Sequence, residues 1–190
     1  MWVVYQNVEA SVNLAEASDL PRVMKVALSF SVGIPRVSTE EVNMGWRELS
    51  KELKELGKLR ASVGWHETAK YDDGTPVALV ATTHEYGSIK QGIPPRPVVR
   101  PTIQEKSREW SYHAGQGFKA VADGRMTPLQ VMTALGEAAA GDVRMTISEI
   151  QSPPLRESTV SRRVREGFHP DKPLVRSGLM LTTCTSEVTK

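Results

Sequence analysis

Apolar positions follow two rhythms along this chain of 190 residues. Val26, Leu28, Phe30 and Val32 alternate with their neighbours, the period-two signature of a half-buried strand. Residues 2–8 read as a short strand and residues 14–20 as a weak helix, broken by Pro21. Ser38-Thr39-Glu40-Glu41 has the form of a capping box, with Ser38 reaching forward and Glu41 reaching back. The helix it opens carries Val42, Trp46, Leu49, Leu53 and Leu56 at spacings of three and four, and Gly57 ends it. Ala61, Val63 and Trp65 alternate again, so residues 60–65 read as a second strand.

Tyr71-Asp72-Asp73-Gly74 is a turn signal, and Thr75-Pro76 starts a short helix with Val77, Val80, Ala81 and His84 on one face. Gly87 stops that helix. Four prolines then fall within residues 94–101, so residues 93–101 read as a stiff extended strut close to polyproline II. Thr102 is expected to cap a helix reaching about residue 121, with Ile103, Ser107, Trp110, Ala114, Phe118 and Val121 as its seam. Gly115 and Gly117 each weaken it by roughly 1 kcal/mol relative to alanine. Gly124 closes it. Thr127-Pro128-Leu129-Gln130 caps a further helix to about residue 150, along Leu129, Met132, Leu135 or Gly136, Ala139, Val143, Ile147 and Ile150. Pro153-Pro154 ends it, a basic helix follows at 157–165, and residues 179–188 read as a last strand.

The expected fold class is α+β: a small, mostly antiparallel sheet packed with about four helices, including a long antiparallel helix pair. Residues 24–190 form a single domain in this reading. Residues 1–23 are an N-terminal arm, or an extension ahead of an alternative start at Met24.

Net charge is +2, so no strong overall field draws the chain to nucleic acid. Cys184 is the sole cysteine, which excludes an internal disulfide and a cysteine metal cluster and suits a reducing compartment. No apolar run approaches the ~20 residues of a membrane span, and the N-terminus reads as no signal peptide. His66-Glu67 and His84-Glu85 invite a metal reading, but the histidines lie eighteen residues apart on different elements. Ser177 has no activating flank, and no nucleophile elbow or phosphate-cradling glycine loop occurs. Residues 156–176 carry six cations against three anions. Such a segment is ordinarily a solvated face. Repeated around a ring it becomes a positive belt, able to touch DNA phosphates or an acidic neighbouring ring. Glu85 has two candidate ion-pair partners, Arg96 and Arg100, weighed against exposed charges worth under ~1 kcal/mol.

His84-Glu85-Tyr86-Gly87, then Ile93-Pro94-Pro95-Arg96-Pro97, then two long helices, Pro154-Leu155, Lys172-Pro173-Leu174-Val175 and Ser177-Gly178-Leu179-Met180 follow one another in order. Preceded by Val63-Gly64, this series resembles the tail-completion, or neck, family of tailed bacteriophages. The likeness spans about residues 60–182. Tyr86 and Val98 stand where that family favours phenylalanine, and Ser177 where it favours threonine.

The resemblance implies a non-enzymatic virion protein without cofactor at the head–tail joint, present in the host cytoplasm during assembly. Its expected partners are copies of itself in a ring, six-fold by analogy, and neighbouring connector, terminator or tail-tube proteins, with no membrane partner. The motif or interface residues it implies are Glu85, Tyr86, Gly87, Ile93, Pro94, Pro95, Arg96, Pro97, Arg100, Pro173, Leu174 and Gly178. Arg162, Arg163 and Arg165 are the candidates for contact with packaged DNA or an adjacent ring. A tail terminator, a metal-dependent hydrolase on His66 and His84, and a small DNA-binding protein are the alternatives.

Overall fold

In the computed structural model of the chain, residues 4–6, 29–31 and 44–190 are described. The expected helix at 14–20, the capping box at 38–41, Val42 and the Trp46 side chain lie outside them, as does most of the proposed arm. Strands β1 (Val4–Gln6) and β2 (Ser29–Ser31) pair in parallel, while β3 (Arg60–Trp65) and β4 (Cys184–Thr189) form a separate antiparallel pair. Helices α1 (Met44–Leu56), α2 (Val77–Tyr86), α3 (Val99–Ala122), α4 (Pro128–Glu149), α5 (Glu157–Arg165) and α6 (Leu179–Thr182) complete the described elements. The class is α+β.

Two apolar clusters organise the packing. One joins Val63 and Trp65 of β3 to Val77 and Ala81 of α2, Trp110 of α3, and Val143 and Ile147 of α4. The other places Leu56 and Leu59 against Ala114, Val121, Val131 and Leu135. The long pair α3 and α4 runs antiparallel: Thr102 meets Thr146, Trp110 Nε1 donates to Asp142 Oδ2 at 2.7 Å, and Gly117 meets Val131. A capping box built by Thr127 and Gln130 starts α4. On its far side α4 covers β3 and β4.

Four local expectations change. The extended strut ends before its last proline, since α3 begins at Val99 and takes Pro101 into its first turn. Proline is tolerated there because a first-turn N–H has no partner within the helix. Thr102 is consequently no cap; its hydroxyl lies inside the helix, 2.6 Å from Val98 O and from Thr146 Oγ1. The last strand is shorter than its threonines suggest. Residues 179–182 turn helical behind Gly178, whose φ of 75° is left-handed, and the Thr182 and Thr183 hydroxyls bond back to carbonyls four residues earlier. Leu129, assigned to the α4 seam, is 56% exposed, and Pro128 and Val131 take the inward positions.

The two glycines within α3 differ in kind. A Cβ on Gly115 would meet nothing within 4 Å, whereas one on Gly117 would overlap Val131 Cγ1. Gly117 is where α3 and α4 approach closely. In urea unfolding, Gly115→Ala should therefore stabilise the chain by about 0.5–1 kcal/mol. Gly117→Ala should destabilise it by about 1–2 kcal/mol, because the overlap with a stiff β-branched side chain outweighs the gain in helix propensity.

Candidate functional site

The motif residues converge at the start of α3. Its first-turn N–H groups point out of the helix and need acceptors. The preceding residue, Val98, has no oxygen in its side chain to supply one, and no side chain adjacent in sequence caps the helix. Glu85, from the last turn of α2, does so instead. Its Oε2 accepts from the Val98 and Val99 N–H groups at 2.7 and 3.0 Å, and its Oε1 accepts from Arg100 N–H at 3.1 Å. The Arg100 Nε donates to the same Oε1 at 3.0 Å, and its Nη2 donates to the Glu85 carbonyl at 2.8 Å. Glu85 is 6% exposed. The carboxylate thus meets a helix dipole's positive end and a guanidinium together. Of the two partners expected for Glu85, Arg100 is the one found. Arg100 also stacks on Tyr86, 5.0 Å from its ring centroid.

Gly87 and the strut fit around this cap. Gly87 ends α2 with φ 76°, and an added Cβ would lie 2.9 Å from Pro95 N and 3.0 Å from Ile93 O. Only glycine permits both the conformation and the approach. Ser88 and Ile93 exchange backbone hydrogen bonds of 2.8 and 2.9 Å, closing a small hairpin from which Pro94 and Pro95 emerge. Arg96 N–H then donates to His84 O at 2.6 Å, tying strut to helix, with Pro97 between the two buried residues Arg96 and Val98.

Arg96 turns inward rather than toward a partner. It is 4% exposed, and its Nε and Nη2 donate to the Pro153 and Pro154 carbonyls at 2.7 and 2.9 Å. Its strut is therefore a junction within the chain. Arg163 behaves alike: 6% exposed, it donates to the carbonyls of His169, Lys172 and Pro173. That removes Arg163 from the candidate contact face of α5, leaving Arg162 and Arg165 exposed. Burial pushes both buried guanidinium pKa values down, and for Arg163 the neighbouring Arg176, Arg96 and Arg162 add to the effect.

Pro173, Leu174 and Gly178 line a cleft of about 560 Å³ together with His84, Arg163 and Phe168. Arg176 pairs with Glu166 at 2.8 Å there and stacks on Phe168. His84 has its pKa pushed down to about 4, chiefly by burial and further by Arg96 and Arg163. Among the described residues no three His, Cys, Asp or Glu side chains gather to hold a metal. Cys184 is buried, with its thiol pushed up to about 12 by burial. That is the state of an inert core residue.

Sequence reasoning missed the direction in which Arg96 and Arg163 point. The one available signal was their placement beside proline-rich segments, where carbonyls lack neighbouring N–H donors. No protein-family model, no curated protein and no solved structure matches this chain.

Glu85→Ala should cost about 3 kcal/mol or more in urea unfolding, since it strands three backbone donors. Arg100→Met should cost below about 1 kcal/mol, because that side chain is 47% exposed and contributes a partly solvated pair. His84 supplies a pH dependence. Its folded pKa of about 4 lies below the ordinary 6.5, so the unfolded chain binds the extra proton first. Stability is lost as pH falls below about 6.5 and levels off below about 4, with a slope on the order of 1 kcal/mol per pH unit between them. His84→Gln should abolish that component of the slope in unfolding measured across this window.

Proposed function

We propose that this chain is a structural virion protein of a tailed phage, completing the upper end of the tail or forming part of the neck so that the filled head can join. The observation that carries the reading is the ordered motif series at 84–87, 93–97, 154–155 and 172–180. Its support from the geometry is that these segments depend on one another. His84 O holds Arg96, Arg96 holds the Pro153 and Pro154 carbonyls, and Arg163 holds those of Lys172 and Pro173. A series that serves assembly on a fixed axis needs such rigidity, because a ring-forming subunit must present the same surfaces in every copy.

In this reading the protein works by shape and without catalysis, as a ring of copies lying between connector and tail-tube proteins. Arg162 and Arg165, both exposed, face packaged DNA or an adjacent ring. The basic last turn of α5 equally suits its own helix dipole, which accounts for part of its charge.

Deleting the gene from its phage and imaging the lysate by negative-stain electron microscopy tests the proposal. Filled heads beside separate tails of normal length are expected. Overlong tails would assign the terminator role instead, and intact infectious particles would overturn the virion reading.

A further inference from the structure

We infer that the cleft between α2, the 71–75 turn and the 173–180 segment receives a single acidic side chain, flanked by apolar residues, from another protein. Arg96 and Arg163 are buried, and each guanidinium is held by main-chain carbonyls. Among the described residues, neither has a carboxylate within ion-pair distance. Carbonyl dipoles satisfy donors, but they offset a buried charge less than an anion does.

Unpaired donors and acceptors occur at the same place. Arg163 Nε and His84 Nδ1 are both shielded from solvent, and among the described residues both lack a partner. Their residues line the one cleft. Arg163 is more than nine-tenths buried, so its stranded Nε–H is costly as it stands. A carboxylate offers about four acceptor sites, enough for both groups once the side chains that shield them shift to admit it, with His84 carrying its proton on Nδ1. A nearby carboxylate also favours that imidazole's protonated form.

The rest of the cleft selects the kind of anion. About 560 Å³ lies within the range of ligand sites. Val80, Phe168, Leu174, Leu179 and Met180 give it apolar walls that suit methylene and aliphatic groups. Arg176, 52% exposed, stands at the rim. Asp72 and Asp73 line the same cleft, and Glu166 neutralises Arg176 in part. Those carboxylates oppose any anion, and a nucleic-acid strand with its successive phosphates more strongly than one isolated acid between apolar neighbours. The inference rests on these side chains and is independent of the virion reading.

The test uses the full chain and an acetylated, amidated leucyl-glutamyl-leucine peptide, followed by NMR of the Arg163 Nε–H and the His84 ring. A saturable shift of both signals is expected. It should be about tenfold weaker with the glutamine analogue of the peptide, and weaker several-fold in Arg176→Gln. No saturable shift up to about 10 mM peptide would overturn the inference. Equal binding of the glutamine analogue would overturn it too, because the charge would then be irrelevant. So would displacement of the peptide by inorganic phosphate at matched ionic strength, which would make the cleft a general anion site.

Discussion

The start of α3 depends on a carboxylate borrowed from another helix. Val98 cannot cap, Pro97 precedes it and Pro101 follows, so the local sequence supplies rigidity without an acceptor. Glu85 provides it across a gap of more than a dozen residues, taking three backbone N–H groups and one guanidinium on two oxygens. For the carboxylate to arrive there, α2 must end at Gly87 and the chain must return immediately through Pro94 and Pro95. The positive φ of Gly87 and the 2.9 Å approach to Pro95 are the steric form of that requirement. The motif is therefore a covalently short, geometrically closed joint between two helices, and α3 carries it into the core along Ile103, Trp110 and Ala114.

Buried guanidinium groups extend the joint outward. Arg96 fastens the strut to the segment after α4, and Arg163 fastens α5 to the turn that leads into α6 and β4. Arginine suits this role because its planar fork reaches two carbonyls with one side chain. Each such group also brings charge into a poorly solvated interior, and that charge adds to the larger effect of burial in keeping His84 neutral. Rigidity and electrostatic strain thus have a common source.

Much of this was legible in the chain. Strand β3 and helix α5 occur over the expected residues, because strict alternation and a proline-bounded basic run leave few alternatives. The α4 capping box was equally plain, since both of its members are local. What could not be read was the set of long-range partners. Thr102 looks like a cap in sequence because a cap is usually adjacent, whereas the real one is Glu85. The threonines at 182–183 favour a strand by propensity, but their hydroxyls find nearby carbonyls and Trp65 Nε1 binds Met180 O, so tertiary structure decides. Arg163 looked like a surface cation beside Arg162 and Arg165, and only the fold of residues 169–173 over it turns it inward.

Amide hydrogen exchange at Val98, Val99 and Arg100 measures the joint most directly. The first amides of a helix ordinarily exchange fast, since nothing inside the helix protects them. Here all three should exchange only with global unfolding in the wild-type chain, and should lose that protection in Glu85→Gln while the centre of α3 keeps its own. Fast exchange at these three positions in the wild-type chain would contradict the claim that Glu85 holds the start of α3.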